Sequence, residues 1–246
     1  MSRLFIAAFA FFCALPAALA ESVQLIAADG VKVFGQMWRA TGPKPPIVVA
    51  FHQAESSSAE YAPIAPRLVQ AGFTVLAIDQ RSGDGAFGGT NRTVAALGRS
   101  TGYEQALPDL EAALAWANKN ANGSPIVVWG SSYSAALVFL LAAAHPGDVS
   151  GIVAFSPGEY LANNKAVREA ARRVNVPVYI DQASSPDEVA QSAAILQALK
   201  SADKQQFTSK AASAHGSSTL RADTNAGGAE AHWKAVLKFL GRFKPG

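Results

Sequence analysis

Short and almost continuously apolar runs punctuate the chain at residues 23–27, 31–38, 47–51, 73–78, 126–129, 152–155 and 178–180. Stretches with helical spacing of apolar positions lie between most of them, at 61–71, 103–120, 134–145, 188–200 and 232–239. Strands too apolar to face water on either side, alternating with helices, predict a mostly parallel, doubly wound α/β sheet with helices on both faces. Asp29-Gly30 between the first two runs is a hairpin signal, so the sheet is expected to open with an antiparallel pair. Gly42-Pro43-Lys44-Pro45-Pro46 reads as a stiff connector into the third strand. Nothing after residue 20 divides the chain into two cores, so 21–246 is expected to be one domain. The Gly-rich segment 81–101, leaving the end of a strand, is long enough to be functional, as a partial lid or as cover for the sheet.

Composition narrows the class. Half of the 246 residues are apolar and 16% are charged, which excludes a disordered chain. A net charge of +3, spread along the sequence, gives no reason to expect a nucleic-acid partner. Met1-Ser2-Arg3, an apolar run from Leu4 to Leu15, and Ala18-Leu19-Ala20 make the pattern of a secretory signal peptide. That run is too short to span a ~30 Å hydrocarbon core, so it is not expected to be a stable membrane anchor. Cleavage after Ala20 is expected, with a secreted or periplasmic product. The one cysteine, Cys13, would leave with the signal segment. Any nucleophile of the mature chain is then an oxygen or a nitrogen.

The strand at 126–129 runs into Gly130-Ser131-Ser132-Tyr133-Ser134 and then into the apolar helix that follows. A sharp strand-to-helix turn crowds the backbone two residues either side of its apex. Gly130 and Ser134 are small enough for that, which places Ser132 at the apex as a candidate nucleophile. The competing reading makes these serines simple helix caps.

A serine nucleophile needs a base, and the base an orienting carboxylate. Among the histidines, His145 ends a helix, His232 reads as solvated surface, and His52 ends the third strand. His215, in the small-residue loop Ala214-His215-Gly216-Ser217-Ser218, is the best candidate base. For the acid, Asp187 follows the seventh strand just before a helix, with Asp181 a direct rival and Glu159 a more distant one. Helix capping by Ser185 or Asp187 is the plainer alternative.

These residues resemble the α/β-hydrolase superfamily over essentially the whole chain after residue 20. Phe51-His52-Gln53-Ala54 stands where that superfamily has a His-Gly-x oxyanion loop, with Gln53 at the usual glycine. Asp79-Gln80-Arg81-Ser82-Gly83 is similar to its Asp-x-Arg-Gly turn, and Gly130-x-Ser132-x-Ser134 to its elbow. The order Ser132, Asp187, His215 is the superfamily's Ser…Asp…His order. The short stretch between the sixth and seventh strands resembles the compact dienelactone-hydrolase-like and esterase branch, with a minimal cap.

The resemblance implies about eight strands in all, and a serine hydrolase acting on small carboxylic esters or other acyl substrates through an acyl-enzyme. The backbone N–H groups of Tyr133 and Ala54 would form the oxyanion hole, with Gln53 second to Ala54, and His52 would brace that loop. No cofactor or metal is implied. A peptidase or amidase of the same fold, or a non-catalytic binding protein, are the alternatives. Oligomeric state is not read from the sequence.

Overall fold

The computed structural model describes residues 19–244. The expected signal segment therefore lies almost wholly outside the described residues. Eight strands form one sheet: β1 (Glu21–Ile26), β2 (Lys32–Trp38), β3 (Ile47–Phe51), β4 (Thr74–Asp79), β5 (Ile126–Ser131), β6 (Gly151–Phe155), β7 (Val178–Asp181) and β8 (Lys204–Phe207). Their order is β1-β2-β4-β3-β5-β6-β7-β8. β2 runs antiparallel to both β1 and β4, and every other pairing is parallel. Gly30 turns the β1–β2 hairpin with φ +84°.

Successive residues of a strand face opposite sides, and the two cores follow that alternation. Val49, Phe51 and Val128 pack beneath α3 (Leu107–Asn120), α4 (Tyr133–Ala144), α5 (Ala166–Ala171) and α6 (Pro186–Ala198). Val48, Ala50, Val127 and Trp129 pack on the other side, against α1 (Ala65–Gln70) and α7 (Ala229–Leu240). Helix α4 is buried almost all round, because it lies against the sheet with α3 and α5 beside it. Among the described residues no helix is long and apolar enough to cross a membrane.

Two short helices and one strand fall outside the pattern read from the sequence. α2 (Arg92–Leu97) and α5 have six residues each, too few for helical periodicity to register. β8 is Lys-Gln-Gln-Phe, an edge strand paired only to β7 and only half-buried. The 81–101 segment covers the sheet rather than the site at its α2 end: Thr93 Oγ1 accepts from Phe34 N at 2.9 Å, and Arg92 Nη2 donates to Gly35 O at 2.6 Å. Its start is anchored by the buried Arg81, whose guanidinium bonds Asp109 and Asp29.

Candidate active site

In an open, mostly parallel sheet the C-terminal strand ends form the crevice where ligands bind. The ends of β3, β5, β6, β7 and β8 all converge there. At the end of β5, Ser132 holds φ 59° and ψ −122°, a region a non-glycine residue enters only when its surroundings force it. The constraint is visible on both flanks. Ser132 N donates to Phe155 O at 2.8 Å, and Ser132 O accepts from Ala135 N at 2.8 Å as the helix starts. A Cβ at position 130 would stand 2.4 Å from Ser134 O, so only glycine fits there. Ser134 is more than a tolerated small residue. Its hydroxyl donates to His52 O at 2.6 Å and accepts from Gln80 Nε2 at 2.7 Å, tying the elbow to the end of β3.

His215 enters from the loop after β8. Its Nε2 lies 2.7 Å from Ser132 Oγ and its Nδ1 3.2 Å from Glu188 Oε1. With a carboxylate at Nδ1, that nitrogen carries the proton and Nε2 accepts from the serine hydroxyl. The loop is held at several points. Gly216 N donates to Ser156 Oγ, Ser217 N to Ser131 Oγ, and Trp129 Nε1 to Ser217 Oγ, each at 2.8 Å. Gly216 sits at φ +70°, and a Cβ there would fall 2.5 Å from Ser131 Oγ. Ser156, which accepts from Gly216 N, itself sits at φ 52°. Burial pushes the Glu188 carboxyl up, but the interactions with His215 and Ser156 outweigh it and hold it below the ordinary glutamate value.

The expected acid, Asp187, is not brought to His215. Ser185 caps α6 through Glu188 N, which puts Pro186, Asp187 and Glu188 on the first turn. Consecutive helix residues diverge by about 100° around the axis. Glu188 therefore faces the histidine while Asp187 is exposed to solvent. The rivals are occupied elsewhere. Glu159 accepts from Val167 N and Arg168 N at the start of α5. Asp181 receives both His232 Nδ1, at 2.9 Å to each oxygen, and Tyr179 OH at 2.8 Å. His232 is thus fully buried rather than solvated. The missed signal for Glu188 was a capping box, Ser185-x-x-Glu188; here the glutamate reaches back to Ala183 N at 3.2 Å as well as to His215.

Neither Tyr133 N nor Ala54 N has an acceptor among the described residues, whereas Gln53 N donates to Glu60 Oε2 at 2.7 Å. His52 is fully buried and braces this loop from both ring nitrogens. Nδ1 donates to Gln53 O at 2.8 Å and Nε2 accepts from Gln80 N at 2.9 Å. Burial pulls its pKa down to about 4, so it stays neutral in this role.

The family model of the serine aminopeptidase S33 hydrolases matches residues 42–178. The chain belongs to this family and is a serine hydrolase of the α/β-hydrolase fold. Similar solved structures include a dienelactone hydrolase from Anabaena variabilis, at 15% identity and TM-score 0.70 over 93% of this chain and 100% of that one. An esterase from Pyrococcus furiosus has 18% identity and TM-score 0.68, with 93% and 94% covered. A thermostable carboxyl esterase from Bacillus coagulans has 12% identity and TM-score 0.69, with 91% and 98% covered. No curated protein matches the chain by sequence.

Proposed function

We propose that the protein hydrolyses small carboxylic esters through an acyl-enzyme on Ser132, with His215 as base and Glu188 as the acid of the triad. The observation that carries this is the unbroken chain Ser132 Oγ–His215 Nε2 at 2.7 Å and His215 Nδ1–Glu188 at 3.2 Å, set on a strained elbow. Ser132 Oγ attacks the ester carbonyl as its proton passes to His215 Nε2. The imidazolium returns that proton to the leaving alkoxide, and a water then repeats the sequence on the acyl-enzyme. Glu188 keeps the proton on Nδ1 and stabilises the cation. The N–H groups of Tyr133 and Ala54, both without acceptors among the described residues, receive the oxyanion.

An ester substrate fits the esterase neighbours and the short stretch between β6 and β7, which holds only the six-residue α5. The family's aminopeptidase description supplies the second reading, cleavage of an aminoacyl amide. We also propose that the protein is exported after cleavage at Ala20. The sequence pattern of residues 1–20 supports this.

A fluorophosphonate probe added to protein purified from the exported fraction tests these points together. The probe's mass is expected on the peptide containing Ser132, the amino terminus is expected at Glu21, and Ser132→Ala is expected to lose both label and turnover. Label on Ser131, or none, contradicts the mechanism; an intact Met1 contradicts cleavage at Ala20, and absence of the protein from that fraction contradicts export. Turnover of p-nitrophenyl acetate but not of aminoacyl p-nitroanilides is expected; the reverse would establish the peptidase reading.

A further inference from the structure

A fully buried carboxylate stands behind the site, and the triad does not use it. Glu60 lies on the 3-10 turn Ser58–Tyr61, just after the oxyanion loop, and is wholly inaccessible. Two anchors fix that turn: Ser58 N donates to Asp79 Oδ1 at 2.8 Å, and Tyr61 OH donates to Phe51 O at 2.7 Å. Its own backbone carbonyl accepts from Arg221 Nη1 at 2.9 Å. The side chain is occupied by two donors. Oε2 accepts from Gln53 N at 2.7 Å, and Oε1 accepts from Ser131 Oγ at 2.7 Å. Ser131 Oγ in turn accepts from Ser217 N, two residues past the base. One carboxylate therefore links the oxyanion loop, the residue before the nucleophile and the histidine loop.

We propose that Glu60 is the positioning residue of the oxyanion hole, setting the direction of the Ala54 N–H through the Gln53 backbone and sharing its other oxygen with the elbow. A trans peptide is planar, with its C=O and N–H pointing opposite ways. His52 Nδ1 pins the carbonyl of the Gln53–Ala54 peptide, so the Ala54 N–H must point away from His52. Glu60 pins the Gln53 N–H one peptide earlier, and the loop then has no freedom to rotate that donor out of the site. Two donors, Gln53 N and Ser131 Oγ, converge on this one buried group, and the ionised carboxyl accepts both without presenting a donor of its own, which an amide cannot do. An isolated buried carboxylate is costly, which argues that this one is kept for its bonds.

This inference rests on the ester-hydrolase reading, whose own test is labelling of the wild-type Ser132. It is tested separately by ratios between variants and wild type. Glu60→Ala and Glu60→Gln are compared for kcat and KM on p-nitrophenyl acetate, for the inhibition constant of a trifluoromethyl ketone, and for Tm. The ketone forms a tetrahedral oxyanion adduct on the nucleophile and so reads the hole directly. Loss of one direct oxyanion donor costs about 10²–10³ in kcat. A residue acting through such a donor should cost about 50-fold in Glu60→Ala, with KM within about threefold and ketone affinity falling in step with kcat. Glu60→Gln, matched in size, should lose about fivefold or more in ketone affinity, and it decides the question if Glu60→Ala does not fold. Ketone affinity unchanged in Glu60→Gln, or activity lost only in proportion to the folded fraction, overturns the proposal.

Discussion

Two histidine–carboxylate pairs hang from the same strand, and they behave as opposites. Asp181 ends β7 and holds His232 of α7, with both side chains fully shielded from water. Glu188 lies seven residues further on and holds His215, whose side chain is 43% exposed. In the first pair the second ring nitrogen, His232 Nε2, is buried with no partner among the described residues, beside the Phe207 ring. In the second, Nε2 meets Ser132 Oγ. The two pairs are built alike, yet only one meets a serine hydroxyl and is open to solvent. A buried histidine–carboxylate pair alone is therefore poor evidence of catalysis. What the far nitrogen touches decides the role.

The contrast is open to attack from either side. Glu188→Gln leaves His215 without its orienting carboxylate, and a comparable change in a serine-protease triad costs about 10⁴ in kcat. A steady-state assay should find a loss of that order with little change in Tm. Asp181→Asn acts the other way. Burial pushes the Asp181 carboxyl up against the bonds from His232 and Tyr179, and breaking one partner of a buried pair typically costs about 3–5 kcal/mol. Chemical denaturation should show a loss of that size, while kcat of the folded fraction stays within about twofold.

A smaller effect comes from pH. Burial pulls His52 down to about 4 from 6.5, so its contribution to stability is complete above pH 6.5 and is lost as pH falls through about 4. Burial pushes Glu60 up to about 7 from 4.5, so its contribution runs the other way, present below pH 4.5 and lost as pH rises through about 7. The two offset one another on acidification. Glu60→Gln removes the compensating group, and its Tm should fall more steeply than wild type between pH 7 and pH 4.5; parallel curves would contradict this assignment. Asp187→Asn, at an exposed position one residue from the acid, should change neither kcat nor Tm measurably.

Much of this was legible in the sequence because the signals were redundant. The elbow joined a small-residue turn to a buried strand and an apolar helix, so Ser132 did not depend on a perfect motif. His215 stood out as a histidine among small residues. The carboxylate that meets His215 lies one residue beyond the expected Asp187, because its position depends on helix phase, and phase depends on which residue caps α6. With Ser185 as the cap, Glu188 rather than Asp187 turns toward the loop after β8. His232 was misread for a similar reason. Its neighbours at helical spacing, Val236 and Phe239, are buried, and the same phase that puts them in the core takes His232 with them. β8 escaped notice because an edge strand of Lys-Gln-Gln-Phe carries almost no apolar signal. Glu60 could be found only in three dimensions, since its two donors come from separate strand ends.

The most direct test of the division between the two pairs is kcat per folded molecule on p-nitrophenyl acetate for Glu188→Gln and Asp181→Asn, measured side by side. A loss of about 10⁴ is expected in the first, and activity within about twofold of wild type in the second. Near-wild-type turnover in Glu188→Gln together with collapse in Asp181→Asn would show that the buried pair at the end of β7 serves the nucleophile after all.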